Sequence, residues 1–245
     1  MKKILFALLL VNTTMGIAQE KVLLRLNYEK GDTYETIMKM GQDMGVAFME
    51  MEMKMQLNVT DVKENEYLGE TKFTYLSSIV TKDGEEQVNY NSNMKDEDLN
   101  EEGKKFKDQM SPMMKAVMFM SINKLGESKL MKVEPNTPGI SELSNQSNSS
   151  VVYPKEEVSV GSTWTNIQSN QGINMELTYT VKEIVKDKVV ADMVGKMSLM
   201  PTADITGSIE IDRNSGIPVK TLINIEMDMM GNKFKNTTEA IVKKI

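Results

Sequence analysis

The chain has 245 residues, a formal net charge of −6, no cysteine and no histidine. Without cysteine there is no disulfide framework. Without histidine the commonest general base, the commonest zinc ligand and every Ser-His or Cys-His pair are missing. An acidic chain with no Lys/Arg cluster lacks the footprint that nucleic acid binding requires, and no P-loop, GxGxxG, GxSxG or SxxK occurs in it.

Residues 1–18 read as a secretory signal peptide. Lys2 and Lys3 form the positive end, Ile4 to Val11 the apolar core, and Gly16 and Ala18 the small residues before a cut at Gln19. The apolar run is far below the roughly 20 residues of a membrane span. The expected product is exported and soluble, periplasmic or extracellular, and not a lipoprotein, because no cysteine stands at the cut.

From Gln19 the pattern is β throughout. Lys21 to Tyr28 predicts a strand with Val22, Leu24, Leu26 and Tyr28 on one side. Lys30-Gly31-Asp32 is a turn, and Tyr34, Thr36, Met38 and Met40 alternate along a second strand. Gly41 to Gly45 reads as a turn or bulge. Then comes the most regular stretch, Val46 to Asp61. Met49, Met51, Met53, Met55, Leu57 and Val59 alternate there with Glu50, Glu52, Lys54, Gln56, Asn58 and Thr60. Met, Glu and Lys favour helix. In a helix, however, residues two apart point to opposite sides and the methionines would share no face, whereas a strand puts them all on one side. Tyr67 to Val80 predicts the returning strand, and Asp83-Gly84 a hairpin turn.

Residues 96–117 break the pattern. Asp96 or Asp98 is the expected cap of a helix carrying Leu99, Phe106 and Met110, and Ser111-Pro112 is expected to open a second short turn. The acids from Asp96 to Glu102 fit a solvated first turn better than a metal site. Val117 to Ile122 and Lys129 to Val133 predict a hairpin. Residues 135–150, with prolines, serines and asparagines, read as a linker.

After the linker the pattern restarts. Val160-Gly161-Ser162-Thr163-Trp164 echoes Lys30-Gly31-Asp32-Thr33-Tyr34, and Met175, Leu177, Tyr179 and Val181 echo Met53, Leu57 and Val59. Asp212, Asn214 and Gly216 look like part of a calcium loop, but the glycine falls one place early and no glutamate closes it, so a turn is expected. Ile223, Ile225, Met227 and Met229 share a face, and Thr237 to Val242 predict a last strand. The domain reading is a signal peptide (1–18), a first β-meander half with the helical insertion (19–134), a linker (135–150) and a second meander half (151–245), all in one compact domain. The fold class is mainly β (α+β). It is a curved antiparallel sheet or half-barrel built from two related halves, with the helical insertion near 96–117 covering the sheet.

These motifs carry a resemblance. Lys30-Gly31-Asp32-Thr33-Tyr34, the MetLysMet and MetGluMetLysMet runs, Val59-Thr60-Asp61-Val62, Tyr153-Pro154-Lys155 and Ile209-Glu210-Ile211-Asp212 together resemble an uncharacterised family of exported bacterial proteins, domain-of-unknown-function family six-two-six-three. The resemblance implies export and supplies no catalytic residue. At the level of fold, a curved sheet covered by helices is also similar to the envelope lipoprotein carriers.

The 23 methionines admit three readings. They pack a core, since an unbranched thioether fills irregular gaps. They line a concavity for a lipid-like or otherwise apolar ligand. Or they bind Cu(I), which soft ligands suit but which usually takes histidine as well. The sequence favours a non-enzymatic envelope protein with a candidate apolar-ligand site at Met49, Met51, Met53, Met55, Met227 and Met229, and with no metal, cofactor or nucleic acid partner. The alternative is a structural or protein-interaction module with a closed core. An enzyme, working through Asp212 or the Asp96 to Glu102 acids, ranks third.

Overall fold

The computed structural model describes residues 20–135, 151–170, 173–198, 201–229 and 231–245. The signal-peptide segment and almost all of the linker lie outside the described residues. Twelve strands form one antiparallel sheet: β1 (Thr33–Asp43), β2 (Ala47–Val62), β3 (Glu66–Lys82), β4 (Glu85–Asn91), β5 (Val117–Asn123), β6 (Ser128–Glu134), β7 (Thr163–Asn170), β8 (Ile173–Ile184), β9 (Lys188–Met197), β10 (Ala203–Asp212), β11 (Pro218–Met229) and β12 (Asn232–Lys244). One helix, α1 (Glu101–Lys115), follows a single 3-10 turn at Asp96–Asp98.

The strand order is β6-β5-β3-β2-β1-β12-β11-β10-β9-β8-β7, with β4 paired to the outer part of β3. That is the order of an up-and-down barrel with one seam left open. The first strand pairs with the last, from Tyr34 opposite Lys244 to Asp43 opposite Lys235. Among the described residues, β6 and β7 do not pair across the gap. The sheet is strongly curled. Leu26 N–H donates to Lys124 C=O in the β5–β6 turn at 2.9 Å, and the next residue, Asn27, donates to Ser215 C=O in the β10–β11 turn at 2.8 Å. Five strand spacings of about 4.8 Å separate those turns along the sheet, so only curling brings them to one dipeptide. The expected curved sheet with a helical cover is what the chain forms.

Residues 20–29 and 151–158 plug one end of this half-barrel. Val22, Leu24 and Leu26 are buried, as the alternation implies, but the segment is not a strand of the sheet. It crosses the mouth and pairs only through a bridge between Val22 and Val158. An extended crossing segment buries every second side chain just as a strand does, so periodicity cannot tell the two apart. Tyr153 N–H donates to Leu125 C=O, and its hydroxyl to Gly216 C=O at 2.6 Å. Tyr67 hydroxyl donates to Leu26 C=O at 2.7 Å. Tyr28 lies edge-on to Tyr34 and Tyr67, with centroids 5.1 and 5.2 Å away. Burial, with Tyr67 beside it, pushes the Tyr28 hydroxyl up to about 12.

Two turns repeat between the halves. Gly31 N–H donates to Val59 C=O, and Gly161 N–H to Val181 C=O; in return Val59 donates to Asp32 and Val181 to Ser162. The sequence echo at these positions is therefore also an echo of hydrogen bonding. Three boundaries differ from expectation. β1 runs through Gly41 to Asp43. The cap of α1 is Asn100, whose Oδ1 accepts from Gly103 N–H at 2.7 Å and whose amide donates to Gln87 C=O of β4 at 3.0 Å. And α1 continues through Pro112 to Lys115 as one helix. Losing one N–H bond near the helix end costs less than stopping and nucleating again.

Candidate ligand-binding face

Cross-strand register fixes which side chains share the inner face. One row reads Ser78, Met51, Met40, Thr238, Ile223, Gly207, Met193, Tyr179, Trp164, running from β3 to β7. The next reads Val80, Met49, Gln42, Asn236, Ile225, Ile205, Gly195, Leu177, Asn166. Met53 stands opposite Met38 and Leu76, and Met55 opposite Thr36 and Phe73. Burial along a row is uneven. Trp164, Tyr179, Met193, Leu177 and Ile205 are buried at the β7 end, whereas Met38, Met40, Met49, Met51, Met53, Met55, Ile223 and Ile225 are only half-buried.

The outer face is its electrostatic opposite. Glu176, Lys196, Asp204, Glu226, Lys235 and Asp43 follow one another across six strands. Pairs such as Lys39–Glu52 (4.0 Å), Lys182–Asp192 (3.2 Å) and Lys220–Glu239 (3.0 Å) connect neighbouring strands there. These exposed pairs are each worth little in stability, but they identify the side that water holds.

Helix α1 covers part of the inner face. Leu76, Tyr90 and Leu99 are buried beneath it, and Met51, Met53, Phe106, Met110, Met113 and Met114 pack around them. Of the candidate residues, Met51 and Met53 therefore sit against the helix. Met49 and Met55 flank them on β2. Met227 faces the same side, opposite Phe234 on β12, but β1 and β12 lie between β11 and β2, so it does not meet the β2 methionines. The side chain of Met229 lies outside the described residues.

Among the described residues, three buried polar atoms of this face have no hydrogen-bond partner: Ser78 Oγ, Trp164 Nε1 and Asn166 Nδ2. Their residues are 0%, 8% and 8% exposed. Trp164 stacks on Tyr179, with centroids 4.9 Å apart and planes 9° from parallel. Burial pushes the Tyr179 hydroxyl up to about 12, against a smaller downward pull from the Asn166 amide beside it. That amide is near enough to bias the hydroxyl, but its nitrogen is not in bonding geometry. Sequence reasoning missed these residues. The signal was present: Trp164, Asn166 and Gln168 alternate along β7, so polar side chains fall on the apolar side.

Two clefts lie at strand ends and are lined mainly by polar residues. One of about 460 Å³ is lined by Lys63, Glu64, Asn65, Glu66, Ser121 and neighbours at the β2–β3 and β5–β6 ends. Another of about 370 Å³ is bordered by Asn27, Glu29, Asp32, Tyr34, Asp212 and Lys244. In it Asp212 Oδ1 accepts from Asn214 N–H, Ser215 N–H and Ser215 Oγ–H, closing the expected turn. The Asp96 to Glu102 acids are exposed, and pair with Lys107, Lys104 and Lys105. Among the described residues no group of three or more acidic side chains is placed to hold a metal ion.

Burial alone would raise the Asp32 carboxyl. Hydrogen bonds from Lys244 (2.7 Å), Tyr34 hydroxyl (2.8 Å) and Glu29 N–H (3.1 Å) outweigh it and hold the group below its usual range. A carboxyl depressed in the folded state stabilises the fold above its unfolded value near 3.8, and that contribution disappears as pH falls through the lower folded value. Asp32→Asn removes the effect. Its melting temperature, compared with the parent's from pH 7 down to pH 2, is expected to be lower at neutral pH and to converge on the parent's in acid. A constant gap would mean that Asp32 acts through packing alone.

Residues 128–238 match the profile of a family of unknown function, DUF6263. The resemblance read from the sequence therefore holds over β6 to β12. No curated protein matches the chain. Among solved structures the fold is similar to that in "Lipid-protein interactions in lipovitellin", with TM-score 0.61 and 11% identity over 89% of this chain. The chain spans about a quarter (25%) of that lipovitellin chain, and at this identity the likeness is one of fold. A DUF1329 family protein from Desulfovibrio piger aligns over 87% of this chain and 84% of its own, at 9% identity and TM-score 0.22. MucB, solved in complex with MucA(peri), aligns over 86% and 89%, at 10% identity and TM-score 0.15. Neither superposes well enough to carry an argument. No helix among the described residues is long and apolar enough to cross a membrane.

Proposed function

We propose that the protein is an exported, non-enzymatic envelope protein that carries an apolar, lipid-like ligand on the inner face of its half-barrel. One observation carries the reading: the apolar rows are left half-buried over β2, β1, β12 and β11 although the same rows are buried at the β7 end. A contiguous apolar surface that the described residues do not finish covering marks a binding surface. Methionine suits it, since its flexible thioether re-packs around ligands of different shape. Among the described residues, the edges of β6 and β7, which do not pair with each other, leave such a ligand a way in at the side, and the plugged end gives it a floor. The signal-peptide pattern of residues 1–18 supports export, and the fold likeness to lipovitellin supports the class of ligand. The absence of histidine and cysteine and the structural role of Asp212 favour binding over catalysis.

A second reading has its own support. Met51 and Met53 pack against α1, as they would in a closed structural or interaction module. Native mass spectrometry of residues Gln19 to Ile245, purified from a bacterial periplasm without detergent, separates the two. The carrier reading expects an added mass that solvent extraction removes. A clean apo mass, with no uptake of a hydrophobic fluorescent probe, would leave the module reading standing.

A further inference from the structure

We propose that the β7 end of the inner face is a subsite for the uncharged, oxygen-bearing head of an acyl ester, with Trp164 Nε1 and Asn166 Nδ2 as its hydrogen-bond donors. The inference rests on the carrier reading and adds the chemical class of the ligand and where its polar end sits.

A buried donor with no acceptor costs free energy that a folded protein ordinarily avoids. Two such donors, two residues apart on the same side of one strand, lie within about 7 Å of each other along the backbone. Both are N–H groups, so the missing partner is an oxygen acceptor. Both belong to β7, the strand at the open seam, where an incoming ligand would arrive. The apolar row that begins at Trp164 continues from there through Met193 to Ile223, which gives the acyl chain its path.

The head is neutral because, among the described residues, no basic side chain faces inward near β7; Lys244, opposite Tyr34 on the same face, lies across the sheet on β12 and is held by Asp32. The lysines of the next two strands, Lys182, Lys188 and Lys196, are on the outer face, beside Asp192, Glu210 and Asp204 at 3.2, 2.7 and 4.0 Å. A carboxylate among Leu177, Tyr179 and Met193 would be a buried, unpaired charge. An ester carbonyl accepts the same hydrogen bonds without that cost. The donors are sealed from water, so the head reaches them as flexible neighbours such as Met175 and Met197, cross-strand partners in the next row, shift aside.

Trp164 is the chain's only tryptophan, and its emission therefore reports on this subsite alone. The probes are two forms of monopalmitoylglycerol, one brominated beside the carbonyl and one at the methyl end, with hexadecane and palmitate as comparisons. The expected result is loss of Trp164 emission with the head-brominated ester and much less with the tail-brominated one. Trp164→Phe, which keeps the ring and removes the N–H, should weaken ester binding about fivefold and leave hexadecane binding unchanged. Equal or stronger quenching by the tail bromine, tighter binding of palmitate than of the ester, or an unaltered ester affinity in Trp164→Phe would overturn the subsite while leaving the carrier reading intact. If neither ester nor hexadecane binds the parent protein, the carrier reading falls and the subsite with it.

Discussion

Gly216→Ala is expected to lower the unfolding free energy by about 3 kcal/mol or more and to expose residues 20–32 to proteases. Gly216 has φ +65°, and a Cβ there would stand 1.9 Å from the carbonyl oxygen of Arg25. The obstacle is backbone, not a side chain that could turn away. Relief requires the β10–β11 turn and the crossing segment to separate, which breaks the bond from Tyr153 hydroxyl to Gly216 C=O and the bond from Asn27 N–H to Ser215 C=O. Gly126, with φ +93° and a Cβ position 2.3 Å from Val151 C=O, is the matching contact across the same mouth, and Gly126→Ala should act in the same direction. Urea denaturation gives the stability change, and limited proteolysis gives the site of loosening. A full-stability Gly216→Ala variant with an uncleaved crossing segment would mean that the plug does not hold the curled sheet together.

The second large effect concerns the methionines. Met51→Glu combined with Met53→Glu puts two carboxylates against Leu76, Leu99 and Met113 under the helix. The expected result is detachment of α1, seen as a loss of several kcal/mol and cleavage between residues 92 and 116. Ligand uptake should fail too, but this variant alone cannot separate the two causes. Met40→Glu can. Met40 lies next to Met51 in the same row and is half-buried, but is not itself part of the cluster under the helix. It should keep the fold, by circular dichroism and melting temperature, and lose the extractable ligand mass. If Met40→Glu retains ligand, the uncovered centre of the sheet is not the binding surface.

Much of this architecture is legible in the residues. The alternation in β1, β2, β8 and β11 fixes a strand and its inner side in each case, because a period of two survives even in a stretch whose composition prefers helix. The paired turns at Gly31 and Gly161 announce themselves by residue type, and their hydrogen bonds agree. What could not be read is what depends on distant segments. Nothing near Tyr34 or Lys244 says that they pair, so the circular strand order was hidden. Asn100 outcompetes Asp96 and Asp98 as the helix cap because its amide is also tied to Gln87 on β4, a tertiary bond without local signature. The polar residues of the candidate site were visible as letters, yet Ser78 and Asn166 acquire meaning only when register places them on the apolar side with no partner.

The pairing of first strand with last also bears on how the chain comes to be folded. Apart from β3 with β5, every other ladder joins strands consecutive in the chain, and can zip as a hairpin soon after synthesis. β1 must instead wait, with one edge bare, until the thirteen residues of β12 have been made. A chain that stops short of Asn232 would not be trimmed at a margin. It would come apart down its middle, as two smaller sheets with β1 and β11 each presenting an unpaired edge to whatever strand it next meets.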